Sequence, residues 1–270
     1  MAMIPTELQR RITSDAEAQV VAELETSQRR TVTTNEVAAI IGAAPASQRV
    51  RDVVALLRTH GWLRALPLRG AYEFEPAVGG PFPSGDPWLE LVVALERNPQ
   101  ARAHVGIGSA AFVRRLADRR PLPDTVIWLA DQPAPPGLRA VYRLVRCTPD
   151  RFFGTSLIGH VPVATVERIA LEVALWWKYA GDLRNKDHWL STVLRQADPR
   201  LVAAGARQLG PTVTSRLGYL AQVFDASAIA AALAPLPCAG PAWLGPRTSP
   251  VKSYESAWGI YDTIGVAAGS

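Results

Sequence analysis

Six side chains within a stretch of 22 residues could read a DNA duplex: Gln48, Arg49, Arg51, Arg58, Arg64 and Arg69. Glutamine can pair with adenine and arginine with guanine in the major groove, and the arginine fork also fits phosphate. Residues 28–70 hold seven arginines (29, 30, 49, 51, 58, 64 and 69) against two acids, Glu36 and Asp52, a local surplus of five. Asp52 reads either as a cytosine acceptor or as a clamp on Arg49. Other groups invite catalytic readings. Gly106-Ile107-Gly108-Ser109 reads as a phosphate-cradling turn at a helix start, or as the Gly-Ser of a nucleotidyltransferase. The second reading needs a carboxylate pair on the next strand, and TVIWLAD offers only Asp124 before it and Asp131 after it. Ser109 is therefore expected as an N-cap. The four histidines, 60, 104, 160 and 188, are not spaced to share a metal. His60 precedes a helix-ending glycine, and Asp187-His188 reads as exposed helix polarity. With no G-x-S-x-G, P-loop or Cys/His dyad, no cofactor, no metal and no enzymatic activity are expected.

The DNA-reading set needs a scaffold, and the surrounding pattern predicts one. Residues 14–27 carry Val20, Val21 and Leu24 at helical spacing. Thr33 and Glu36 form an S/T-x-x-E capping box, followed by Val37, Ile40 and Ile41 and the stop Gly42. Ser47 opens a third helix that runs to His60, and Val50, Val53, Val54 and Leu57 form its buried stripe. At about 100° per residue, Gln48, Asp52, Ala55 and Thr59 lie opposite that stripe, with Arg49 and Arg51 on its flanks. Ser47 and Arg58 complete the expected DNA-facing set on this helix. WLRAL and AYEF, around Pro67-Leu68-Arg69-Gly70, read as a hairpin with Arg64 before its turn and Arg69 in it. The expectation is an α+β protein: a winged helix-turn-helix over 1–76, a Pro/Gly-rich linker over 77–87, and a larger mixed α/β domain over 88–270. In the latter, helices are expected over 86–98, 109–119, 163–180, 185–196, 198–209 and 211–224. Strands are expected over 125–130 and 138–147. The tail from Pro235 is expected to lie over the surface.

Composition sets the outer bounds. Of 270 residues 48% are hydrophobic and 20% charged, enough apolar material for real cores. The net charge of +5 suits a nucleic-acid partner. The scarcity of lysine, with only Lys178, Lys186 and Lys252, also follows from a GC-rich genome. Two distant cysteines, Cys147 and Cys238, exclude a disulfide framework. The start MAMIPTELQRR lacks an apolar signal region, and no run approaches a membrane span, so a cytoplasmic, nucleoid-associated location is expected. Trp176-Trp177-Lys178-Tyr179 reads as core packing or as a stacking surface. Arg114, Arg115, Arg119 and Arg120, and the set Arg139, Arg143 and Arg146, read as solvated basic patches or as extensions of a footprint.

The order of short motifs along the chain carries a resemblance. G-W-L-R-x-L-x-x-x-G-A-Y closes the hairpin. S-A-A-F-V-R-R-L, P-D-T-V-I-W-L, V-P-V-A-T-V-E-R-I-A-L-E and T-S-R-L-G-Y-L follow. Over residues 14–225 the chain resembles the AbiEi family of antitoxins from type IV toxin-antitoxin pairs, most clearly at Thr165-Val166-Glu167-Arg168 and Arg216-Leu217-Gly218-Tyr219-Leu220. The resemblance implies an autorepressor that binds double-stranded promoter repeats through its winged domain. It further implies a C-terminal domain that counters a nucleotidyltransferase toxin, in many systems without direct contact. The long linker and the Pro-rich tail after Leu233 depart from the family pattern. A ligand-sensing winged-helix regulator, with a pocket near the Trp176-Trp177 pair, is the alternative.

Overall fold

The computed structural model describes residues 14–76, 85–185 and 187–267, and within them the protein is a mixed α+β chain. The described residues up to 100, together with 135–141, form one compact unit, and 101–134 with 142–267 form the second. The expected boundary at 77–87 lies mostly outside the described residues. Gly85 turns through a positive φ of 68°, and the Asp86 carboxylate accepts from the Trp88 amide at 2.9 Å, leading into a helix that belongs to the first unit.

The first unit begins with α1 (Asp15–Thr26), whose N-cap Ser14 accepts from the Glu17 amide. Strand β1 (Thr31–Thr33) follows, which periodicity alone did not predict. Thr33 then caps α2 (Thr34–Ile40), and both bonds of the capping box with Glu36 are made. A turn through Gly42, at φ 62°, leads to α3 (Gln48–Thr59). Strands β2 (Leu63–Ala65) and β3 (Ala71–Phe74) pair antiparallel, and β1 adds to the other side of β3. Val20, Leu24, Val37, Val50, Leu57, Trp62 and Phe74 close one core, with the Trp62 and Phe74 rings stacked. Helices α4 (Leu89–Arg97) and, later in the chain, α6 (Leu138–Val141) complete the unit.

The second unit is built on a five-stranded sheet of order β6-β5-β4-β8-β7. Its strands are β4 (Ala103–Val105), β5 (Thr125–Leu129), β6 (Arg143–Cys147), β7 (Thr155–Ile158) and β8 (Val161–Ala164). β5 is buried along its whole length and pairs antiparallel to β4 and parallel to β6. Two expectations are corrected here. Residues 138–147 are not one strand, because Gly137 and the prolines before it open α6. Residues 163–180 are not one helix, because Val163 and Ala164 pair with β7 and Thr165 caps α7 (Val166–Leu175). Helix α5 (Ile107–Val113) is shorter than expected and ends where Arg115 takes a φ of 61°. Helix α8 (Leu190–Gln196) also starts late, and α9 (Pro199–Leu209), α10 (Pro211–Val223) and α11 (Ser227–Leu233) follow as a packed group with α7. The tail does more than cover a surface. Strands β9 (Ala242–Leu244), β10 (Ser253–Glu255) and β11 (Ile260–Asp262) form a second sheet, whose buried Leu244 and Ile260 lie toward α10.

Candidate nucleic-acid interface

The free face of α3 is fixed by what its opposite face buries. Val50 and Leu57 are fully buried and Val53 and Val54 nearly so, which turns Gln48, Arg49, Arg51, Asp52, Ala55, Arg58 and Thr59 to solvent. Ser47 is the N-cap, its hydroxyl accepting from the Val50 amide at 3.4 Å, so its side chain is occupied by the helix start. Gln48 sits in a chain of bonds. Its amide donates to Asp52 at 2.6 Å, and its carbonyl oxygen accepts from Arg51 Nε at 3.0 Å and Nη2 at 2.7 Å. Arg51 Nη1 donates to the Ala46 carbonyl at 2.7 Å. Asp52 therefore holds Gln48, not Arg49. Among the described residues no carboxylate pairs with Arg49, Arg58 or Arg69, and all three are exposed. These are the freest cations of the set.

Arg64 is placed differently. The β2–β3 register sets it opposite Glu73, whose carboxylate accepts from both Nε, at 2.8 Å, and Nη2, and Glu75 lies 3.9 Å away. Those acids fall just beyond residue 70, and including them cuts the local surplus from five charges to three. Residue alternation, which sets 64 and 73 face to face once the turn is centred on 66–71, was the signal that could have found them. The turn itself is tied down. Leu66 and Leu68 are buried, Arg97 Nη1 donates to the Arg69 carbonyl at 2.8 Å, and Gly137 lies against the Pro67 backbone. The exposed Arg69 side chain projects from a fixed loop.

The second unit holds a charged cluster at the motif read as a phosphate cradle. Gly106 is the N-cap of α5, and the Ile107 amide donates to the Glu172 carboxylate at 2.8 Å, so the protein's own anion fills the helix N-terminus. Ser109 is not the cap. Its buried hydroxyl accepts from the Thr125 amide at 2.9 Å and ties α5 to β5. Glu172 also accepts from His104 Nε2 at 2.7 Å and Arg168 Nε at 2.9 Å, and all three side chains are fully enclosed. Burial pushes the Glu172 carboxyl up, but the His104 and Arg168 charges and the hydrogen bonds outweigh it and hold it below the ordinary range. The Arg168 guanidinium packs on the Phe153 and Trp176 rings. Cys147 lies beside it, its thiol pushed up chiefly by burial. Ile107 takes a φ of 52°, rare for a β-branched residue, which turns the chain from β4 so that its amide meets Glu172. His188 is buried rather than exposed. Its Nε2 meets the Ala180 carbonyl at 2.8 Å and its Nδ1 accepts from Leu190 at 3.1 Å, and burial holds its pKa down. Trp176 and Trp177 are partly buried.

Among the described residues no group of three or more histidines, cysteines and acids could hold a metal ion, and no helix is long and apolar enough to cross a membrane. The molecule belongs to the class of two-unit α+β proteins. No protein-family profile matches the chain, and no curated protein matches it. Among solved structures, the chain is similar to the RV2827C protein from Mycobacterium tuberculosis, with 18% identity over 96% of this chain and 95% of that one and a TM-score of 0.77. At that identity the likeness establishes a shared fold.

Proposed function

We propose that the first unit is a winged helix-turn-helix that binds double-stranded DNA, and that the protein is an antitoxin-repressor of a type IV toxin-antitoxin pair. The observation that carries the DNA reading is the outer face of α3, where Arg49 and Arg58 flank Gln48 and Ala55 with no carboxylate neutralising them. α2 and α3 supply the helix-turn-helix, α3 being the recognition helix, and β2–β3 supply the wing. Arg49 and Arg58 contact phosphates or guanine, Arg69 reaches the backbone from the wing, and Asp52 presents Gln48 and Arg51 as one unit. The antitoxin assignment rests on the order of motifs shared with the AbiEi family, whose members repress their own operon and counter a nucleotidyltransferase.

A mobility-shift series with the protein's own promoter tests the first half. Arg49→Ala with Arg58→Ala should weaken binding at least tenfold and flatten the salt dependence by about two units of slope, one for each phosphate no longer neutralised. Promoter binding by this double variant equal to the parent's would overturn the DNA assignment. Gene neighbourhood and co-expression test the second half: the reading requires a nucleotidyltransferase encoded beside this gene whose expression arrests growth, and the parent should restore that growth; failure to do so would remove the antitoxin role.

A ligand-sensing regulator is the second reading. An open cavity of about 590 Å³, lined by Arg184, Asn185, Ser191, Arg195 and Phe224 among others, favours it. That cavity is not lined by the tryptophan pair. A metabolite that shifts promoter affinity, with the effect lost in Arg195→Ala, would establish it.

A further inference from the structure

The open cavity of the second unit, about 590 Å³, falls in the size range of small-ligand sites. Its walls come from the segment before α8, from α8 itself, from the end of α10 and from the chain after β11. The apolar part is Leu183, Phe224 and Val266, all buried. The Phe224 ring lies 6.2 Å from the His188 ring, and His188 is fixed at both nitrogens by the Ala180 carbonyl and the Leu190 amide. This part of the wall is therefore formed before any ligand arrives.

Charges of both signs stand around it. Arg184 is already matched, its Nε and Nη2 donating to the Asp182 carboxylate at 2.7 Å each. Arg195, Asp187 and Asp225, all exposed, are not matched. Arg195 Nη2 donates to the neutral Thr192 hydroxyl at 3.2 Å. Asp187 and Asp225 use their backbone amides, which donate to the Asn185 side chain and the Gln222 carbonyl. Among the described residues no ion pair joins Arg195 to either acid, and neither carboxylate accepts a hydrogen bond. α10 ends at Val223, in the same wall, with no basic residue in its last turn, so the negative end of its dipole adds to the Asp225 charge. Opposite charges that share one cavity without meeting are complemented by a molecule that carries both signs. A ligand of one sign would suit one wall and be repelled by the other.

We propose that this cavity binds a zwitterion with an apolar side chain, its carboxylate on Arg195, its ammonium on Asp187 and Asp225, and its side chain on Leu183, Phe224 and Val266. The assignment supplies the ligand class for the cavity on which the ligand-sensing reading rests. A free amino acid and a short peptide present the same three groups, and the experiment separates them.

The full-length protein is titrated by calorimetry, without DNA, with leucine and with the peptide Leu-Gly-Gly. Saturable binding with a Kd of about 1 mM or tighter is expected, and the tighter of the two identifies the source. Isocaproate, which is leucine without its ammonium, and isoamylamine, which is leucine without its carboxylate, should each bind at least about tenfold more weakly. This comparison needs no variant and so does not depend on how a variant folds. Arg195→Ala should weaken binding about tenfold, as should Asp187→Asn with Asp225→Asn. Asparagine retains the left-handed backbone of residue 225, at φ 55°. Binding of neither zwitterion overturns the proposal. So does a singly charged analogue that binds as tightly as leucine, or an affinity unchanged in either variant. A promoter mobility shift with and without the bound zwitterion separates the two readings. Binding that leaves promoter affinity unchanged keeps this site and removes the ligand-sensing role, whereas no binding removes the site itself.

Discussion

At the scale of single residues, Glu172 is the most demanding group in the protein. It is fully enclosed with Arg168 and His104, and removing its charge leaves the Arg168 cation buried without its partner. Glu172→Gln should therefore lower unfolding stability by about 3–5 kcal/mol at pH 7, read from the urea midpoint. The pH dependence has a definite sign. Because the folded Glu172 pKa is depressed, its contribution is present above the unfolded carboxyl value, about 4.3, and fades as pH falls through the folded value. The stability gap between parent and Glu172→Gln should accordingly narrow below about pH 4. A gap that is absent at neutral pH would show that the pair does not support the fold. Gly106 is the next test, because an added Cβ would lie 2.6 Å from Ile127 and 2.7 Å from the Glu172 carboxylate. Gly106→Ala should lose roughly 1–3 kcal/mol by the same measurement, and an unchanged midpoint would mean that Ile127 moves aside freely. The sequence showed the Thr165 to Arg168 motif but not this cluster. An i,i+4 Arg–Glu pair on a helix is ordinarily a solvated surface pair, and only the strands packed over it make it a core feature.

At the scale of elements, legibility follows sequence distance. The capping box of α2, the buried stripe of α3 and the Pro67 to Gly70 turn are local patterns, and each element formed where the pattern placed it. β5 was legible for another reason, since a strand buried on both faces reads as a continuous apolar run. The strands β1, β4 and β9 to β11 are three residues each, too short to show alternation, and they exist because distant partners pair with them. The same limit touched the candidate site. Arg49 and Arg58 on α3 follow from charge and helix phase and Arg69 from the Pro67 to Gly70 turn, and all three stand exposed. Arg64 looked equivalent until the hairpin register brought Glu73 and Glu75 to it. A binding comparison separates them. Arg69→Ala should lower promoter affinity several-fold and reduce the salt slope by about one unit, whereas Arg64→Ala should change both by less than half as much. Equal losses in the two variants would mean that Arg64 leaves its carboxylates when DNA binds.

At the scale of the whole molecule, the chain is not two consecutive domains. It leaves the first unit near residue 100, returns to it for 135–141, and leaves again. The returning segment is integral to the first unit: Leu138 is fully buried, and Gly137 lies so close to the Pro67 carbonyl that an added Cβ would come within 1.6 Å of it. The segment has no signal in the sequence beyond its prolines, since a four-residue helix carries no periodicity. Its consequence is testable, because damage at residue 138 should appear in a region more than sixty residues earlier. Leu138→Ala removes a fully buried side chain and should cost about 2–5 kcal/mol. Hydrogen exchange tells where that cost falls. Amides of β2 and β3, which flank the Pro67 turn, should lose protection, while those of α7 and α10 in the second unit should exchange as in the parent. The reverse pattern would assign 135–141 to the second unit and return the first unit to an uninterrupted stretch of chain. The expected pattern carries a practical corollary, that a fragment ending at residue 100 lacks part of its own core and should unfold at lower temperature than the same unit in the full chain.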